Sequence, residues 1–207
     1  MKCKMTLILR TISLVFVVSI LVLSSAYAGK MRSVDPRTFD ICGVKIGMDY
    51  DQALAAVAQH FRVARSEIKP YSWLSENSIT GTKFPGGFAY EKGGVRLHVR
   101  FVPRIPLDKV RPLVVHRVFY GIPDTQENRA AMRNAAVAKY GTPSSDVFEA
   151  IEWCTDHNLV MKTCHPYQAI LRITGISMEL HDPELERVWE EAEKKYLDSL
   201  KVTKPNF

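Results

Sequence analysis

Val95-Arg96-Leu97-His98-Val99-Arg100-Phe101-Val102 decides the fold. Val95, Leu97, Val99 and Phe101 alternate with Arg96, His98 and Arg100, the period of two with which an extended strand buries one face and wets the other. Immediately before this run, Glu91-Lys92-Gly93-Gly94 separates it from Phe88-Ala89-Tyr90. Two adjacent glycines supply the positive φ of a tight hairpin. The stretch therefore predicts an antiparallel hairpin with an apolar face toward a core and a cationic face toward solvent.

Working toward the C-terminus, a Pro-punctuated connection from Pro103 to Pro112 leads to Leu113–Tyr120, a strand by its β-branched and aromatic content. Gly121 to Pro123 breaks it. A helix follows from about Gln126 to Tyr140, capped by Asp124 or Thr125 and closed by Gly141 with Pro143 behind it. Its expected inward face is Ala130, Met132, Ala136, Val137 and Tyr140. Further strands are expected at Val147–Trp153, Val160–Met161, Gln168–Thr174 and Ile176–Leu180. The segment 183–201 is an amphipathic helix, with Asp182 as N-cap, Pro183 at the first position and Leu185, Val188, Trp189, Ala192, Tyr196 and Leu200 at helical spacing.

Toward the N-terminus, Pro70–Gly87 reads as loop with one short strand at Ser78–Thr80, and Gly86-Gly87 reads, like Gly93-Gly94, as a pair of turn glycines. Before it, Asp49 and Gln52 form a capping-box pattern for a helix from about Tyr50 to Arg62, with Ala53, Leu54, Val57, Ala58 and Phe61 on one face. The order of elements predicts an α+β domain: an antiparallel sheet with helices packed on one face, and a C-terminal amphipathic helix. Within it, 41–120 and 121–182 are candidate sub-repeats of a helix-plus-hairpins unit.

Residues 1–28 read as a secretory signal. Lys2, Lys4 and Arg10 precede an uncharged run, Ile12–Leu23, and a small-residue cleavage site at Ala26-Tyr27-Ala28. That run is about 12 residues, short of the roughly 20 a membrane span needs. Gly29 rather than cysteine follows the site, so no lipid anchor and no stable membrane attachment is expected after cleavage. The mature domain, 29–207, carries three fewer cations than the full chain's net +6. It is therefore only mildly basic, and the expected location is periplasmic or secreted.

Export favours a disulfide. Cys3 leaves with the signal, and Cys154 and Cys164 flank the turn-like Thr155-Asp156-His157-Asn158, so these two are the expected pair. Cys42 is then a small buried hydrophobe. Cys154, His157, Cys164 and His165 could also surround zinc, but the spacing fits no closed zinc module and a disulfide consumes both sulfurs. No metal site and no cofactor is expected.

The run Gly43-Val44-Lys45-Ile46-Gly47-Met48-Asp49, continued by Ala53-Leu54, resembles the glycine-methionine-then-capped-helix opening of small periplasmic proteins related to the barrel-assembly lipoprotein and the β-lactamase inhibitor protein. The resemblance covers about twelve residues. It implies a helical segment laid on an antiparallel sheet, sometimes duplicated, and action by binding other proteins rather than by catalysis. The lipidated cysteine of the lipoprotein members is absent here.

For function, Arg96, His98, Arg100 and Arg117 form the candidate binding face, with Lys92, Arg104, Lys109 and Arg111 in neighbouring segments. A sheet face of this kind suits an acidic partner protein, an anionic lipid headgroup or a polyanion, or is simply a solvated outer face. No stacking motif for nucleic acid is interleaved with the charges. No nucleophile elbow or His-Glu-x-x-His pair occurs, so no catalytic residue is named. The expected function is an exported, non-enzymatic module that binds a protein partner in the cell envelope or outside it. The rivals are a small envelope hydrolase or modifying enzyme, with His98 or His116 meeting Glu152 or Asp156 in three dimensions, and a structural envelope component.

Overall fold

Asp49 opens the first helix by reciprocal capping. Its carboxylate accepts from the Gln52 amide at 2.8 Å, and the Gln52 side chain accepts from the Asp49 amide at 3.1 Å, satisfying two donors that a first helical turn leaves over. Helix α1 then runs Tyr50–Phe61 and stops where Arg62 turns left-handed, φ 54°. Helix α2, Gln126–Tyr140, takes Thr125 as its N-cap, with the hydroxyl accepting from the Asn128 amide, and ends at Gly141. Helix α3, Pro183–Val202, begins at Asp182, whose carboxylate accepts from the Glu184 amide at 3.2 Å.

The computed structural model describes residues 32–202 apart from 148 and 159. The expected signal segment 1–28, with Cys3, and the tail 203–207 lie outside the described residues. Among the described residues twelve strands are formed: β1 Lys69–Pro70, β2 Leu74–Asn77, β3 Thr82–Pro85, β4 Gly87–Lys92, β5 Val95–Pro103, β6 Leu113–Gly121, β7 Ser145–Val147, β8 Ala150–Trp153, β9 His157–Asn158, β10 Thr163–Cys164, β11 Ile170–Thr174 and β12 Ser177–His181. Eight of them make one antiparallel sheet in the order β1-β4-β5-β6-β12-β11-β8-β7, while β2–β3 and β9–β10 are separate hairpins. The expected α+β plan, with its large antiparallel sheet and C-terminal helix, is what the chain adopts.

Two runs of hairpin-linked neighbours compose this sheet. Helix α1 precedes β4, β5 and β6, and helix α2 precedes β8, β11 and β12; the halves join where β6 pairs with β12. Gly93 and Gly94, φ 60° and 80°, turn the β4–β5 hairpin, as their adjacency requires. Across β5, β6 and β12 the cross-strand partners Leu97 and Tyr120, Val99 and Val118, and Leu180 and Val118 lie on one face. That face meets Ala53 and Val57 of α1 and Met132, Ala136 and Tyr140 of α2 in one core. Trp153, fully buried, closes the second half: its indole donates to the Gly141 carbonyl at 3.1 Å, and its ring meets Tyr140 edge-on.

Several expectations change at this level. Helix α2 meets the core along Met132, Ala136 and Tyr140, a ridge at four-residue spacing, and leaves Ala130 and Val137 exposed. Ser78–Thr80 is a turn, not a strand, because the Asn77 side chain accepts from the Ile79 and Thr80 amides; β2 and β3 lie on either side of it. Val160–Met161 is likewise a turn, held by the Asn158 side chain, the local pairing that makes asparagine a turn residue. The single strand expected over Val147–Trp153 is two, β7 and β8, reversing at Glu149 with φ 65°.

Cys154 and Cys164 form the disulfide, ten residues apart and buried at both ends. Replacing both with serine is expected to lower unfolding free energy by about 2 to 3 kcal/mol, the closure entropy of a loop this short; urea titration of the two proteins measures it. Cys42 is the free thiol among the described residues. Burial pushes it up to about 12, so it is protonated at neutral pH and a poor nucleophile. A thiol reagent at pH 8 should leave folded 29–207 unmodified and label one cysteine per molecule once guanidinium unfolds it.

Candidate functional site

The sheet's second face, opposite the core, carries the cationic residues that alternation placed there. Arg100 faces Arg117 across the β5–β6 ladder, His98 faces Phe119 and Arg96 faces Gly121. Like charges directly opposite are unfavourable in a sheet. Here the next strand relieves them: Glu179 of β12, the cross-strand partner of Phe119, forms a close ion pair with Arg117. Arg96 and Arg100 are exposed, and neither has an ion-pair partner among the described residues.

An open cleft of about 280 Å³ lies over this patch, lined by Tyr71, His98, Arg100, Arg117, Phe119 and Glu179. Three of the four residues named from the sequence thus come together. Arg96 does not join them; it lines a separate recess at the β4–β5 turn, beside Gly94 and Pro123. Within the cleft the Tyr71 hydroxyl lies 3.1 Å from His98 Nδ1, and the Glu91 carboxylate lies 3.5 Å from His98 Nε2. Burial holds the Tyr71 phenol above its ordinary value, partly offset by Arg100.

Tyr71 and Trp73, stacked with ring centres 5.2 Å apart, form the aromatic wall next to this cleft. Gly86 and Gly87, expected as turn glycines, serve instead as the floor beneath those rings. A Cβ on Gly86 would sit 2.0 Å from the Trp73 ring, and one on Gly87 would sit 2.5 Å from Tyr71 and 2.4 Å from the Val99 carbonyl. Any side chain there would lift the wall off the sheet.

Beyond the cleft, β6 carries a bulge. Arg100 pairs with Arg117 and Phe101 with Val115, so His116 is an extra residue without a partner on β5. Such insertions re-aim side chains. His116 Nδ1 comes to 2.7 Å from Glu186 Oε1 of α3, and His181 Nε2, at the end of β12, lies 3.6 Å from Glu186 Oε2. Neither imidazole nitrogen has a partner in hydrogen-bond geometry. Burial first, then the charges of His181, Arg117 and Arg100, push His116 down to about 3, so its imidazole is neutral at ordinary pH. Sequence reasoning named His116 as a strand histidine and, in the rival enzyme reading, as a candidate partner of Glu152 or Asp156; it missed His181 and Glu186, which no motif spacing connects to it.

The carboxylates proposed as partners for a catalytic histidine are engaged elsewhere. Glu152 is buried against Arg172 at 2.6 Å and accepts from the Cys164 amide at 3.0 Å. Asp156 lies 3.9 Å from His165. His98 and His116 therefore meet Glu91 and Glu186 rather than Glu152 or Asp156. Around Cys154, His157, Cys164 and His165 the two sulfurs are bonded to each other, so the group offers no thiolate to a metal. No family model, curated protein or solved structure matches the chain.

What fixes α3 over this face is one buried carboxylate. Asp182, its side chain 2% exposed, takes Arg37 in a forked pair, Nε to Oδ2 at 2.6 Å and Nη2 to Oδ1 at 3.1 Å. Its amide donates to the His116 carbonyl at 2.9 Å. Arg37→Ala leaves that carboxylate buried and unpaired, and is expected to cost about 3 kcal/mol, the lower end of the range for such a loss because Arg37 itself is 42% exposed. Lysine at 37, a point charge without the fork, should recover only part of it; urea unfolding of the two variants measures both.

Proposed function

We propose that this chain is an exported, non-enzymatic binding module that holds a protein partner of the cell envelope or the extracellular space on the second face of its sheet. The observation that carries this reading is the exposed cationic surface on β5: Arg96 and Arg100 stand free of carboxylates, beside a cleft with one aromatic wall and a floor of glycine backbone. Aromatic and arginine side chains at a concave site are the composition that protein interfaces favour at their energetic centres. An acidic segment of a partner would meet Arg100 inside the cleft and, further along β5, Arg96 in its separate recess, with Tyr71 and Trp73 supplying apolar contact.

Export rests on the charged, apolar and small-residue layout of 1–28. It is supported by the Cys154–Cys164 disulfide, which belongs to an oxidising compartment. Among the described residues no helix is long and apolar enough to cross a membrane. The run from Gly43 to Leu54, which resembles the small periplasmic binding proteins, adds support, as does the repeated order of a helix followed by hairpin-linked strands.

Affinity capture of 29–207 from envelope extract, with mass spectrometry, tests the reading against a variant carrying Arg96→Glu and Arg100→Glu. One dominant partner is expected, with its affinity for the variant weakened by about tenfold or more, the scale of one to two kcal/mol. Equal capture by both proteins removes this face from the function.

A further inference from the structure

We propose that His116, His181 and Glu186 form a binding site for a divalent transition-metal ion of the zinc class. Two imidazoles and one carboxylate are a donor set that zinc takes in three-ligand sites, with water in the fourth position. The three residues come from β6, the end of β12 and the first turns of α3, and one ligand atom from each lies within 4.8 Å of the other two. Tetrahedral zinc with bonds of about 2.0 to 2.1 Å holds its ligand atoms about 3.3 Å apart. His116 Nδ1 lies 2.7 Å from Oε1 of Glu186 and His181 Nε2 lies 3.6 Å from its Oε2, so each imidazole stands near that spacing from one carboxylate oxygen.

A second observation points to an ion independently of the donor types. His116 is 4% exposed, and its Nδ1 is buried without a hydrogen-bond partner, as is Nε2 of His181. Buried polar atoms are ordinarily satisfied. Here two of them flank the same carboxylate at a place where the β6 bulge has re-aimed one of the rings. A cation between the three groups satisfies all of them at once. Glu186, its side chain 37% exposed, leaves an entry path and room for the water ligand. Asp182 supplies the frame by joining the start of α3 to the His116 carbonyl and to Arg37. The ion would tie α3 to the sheet, and the site does not depend on the partner proposed for the cationic cleft.

Metal-free protein with its disulfide intact, so that no cysteine of that pair competes, is titrated with Zn2+ by calorimetry. One ion per chain is expected, with a higher melting temperature when it is bound. His181→Gln and Glu186→Gln, at partly exposed positions, should each weaken binding by about 100-fold or more, at least what loss of an outer-shell partner costs, while His60→Gln, at an exposed position on α1, binds like the parent. Circular dichroism checks that each variant is folded. In the unaltered protein, stoichiometric Co2+ should broaden the imidazole resonances of His116 and His181 and spare those of His98 and His165, a readout that needs no variant to fold. The proposal is overturned if the parent takes up no stoichiometric ion, if both glutamine variants bind as tightly as the parent, or if Co2+ broadens other histidines instead.

Discussion

Between Val115, which faces Phe101, and Val118, which faces Val99, β6 carries one residue more than β5 carries over the same span, and the organisation of both faces follows from it. Were β6 paired regularly through all four residues from Val115 to Val118, one of those two valines would turn away from the core, because side chains alternate strictly. With His116 inserted, both valines stay buried, and His116 and Arg117 are both left for the second face. β6 is also the strand that pairs with β12 and so joins the two halves of the sheet. The bulge therefore sits at the seam, where it sets the register for the core on one side and brings β6, β12 and α3 to a common point on the other.

Much of the fold was legible in the sequence because local rules and tertiary packing agree there. The alternation in 95–102, the glycines at 93 and 94 and the capping pair Asp49–Gln52 each act within a few residues, and the structure contains all three as read. Misreadings arose where a side chain competes with the ladder. Asn77 and Asn158 draw the following amides into turns, so segments with strand-like composition reverse instead of extending. Glu149 reverses the chain within what reads as a single strand, and nothing in its residue type announces a positive φ. Gly86 and Gly87 were misassigned for a different reason. Their role is to let two aromatic rings lie against the sheet, a close approach set by tertiary structure and not by the turn chemistry that adjacent glycines usually mark.

The candidate sites divide along the same line. The cationic face could be read directly, since one strand's period of two places Arg96, His98 and Arg100 together, and Arg117 joins them as the partner of Arg100. What that period could not supply was the neighbouring strand: Glu179 neutralises Arg117, and the β4–β5 turn carries Arg96 into a different recess. The histidine cluster was illegible altogether. His116, His181 and Glu186 are brought together by the β6–β12 pairing, the bulge and the angle at which α3 leaves the sheet, and each of those is a property of the assembled domain.

These constraints converge on Asp182. It ends the β12 segment, caps α3, receives the Arg37 fork and binds the His116 carbonyl, so a single buried carboxylate residue sets where α3 starts relative to the bulged strand. A carboxylate kept almost free of water is costly unless its acceptors are filled, and here each oxygen has a donor. Rigid capping at the first turn then positions Glu186, one turn further along α3, more tightly than its own exposed side chain would. A residue whose cost is justified only by what it orients is expected at a site that needs geometry held. At the same seam, Arg117 of β6 and Glu179 of β12 form their ion pair across the junction of the two halves. The cleft lined by Arg100 of β5, Arg117 of β6 and Glu179 of β12 therefore draws on both halves, and its shape depends on the β6–β12 junction remaining closed.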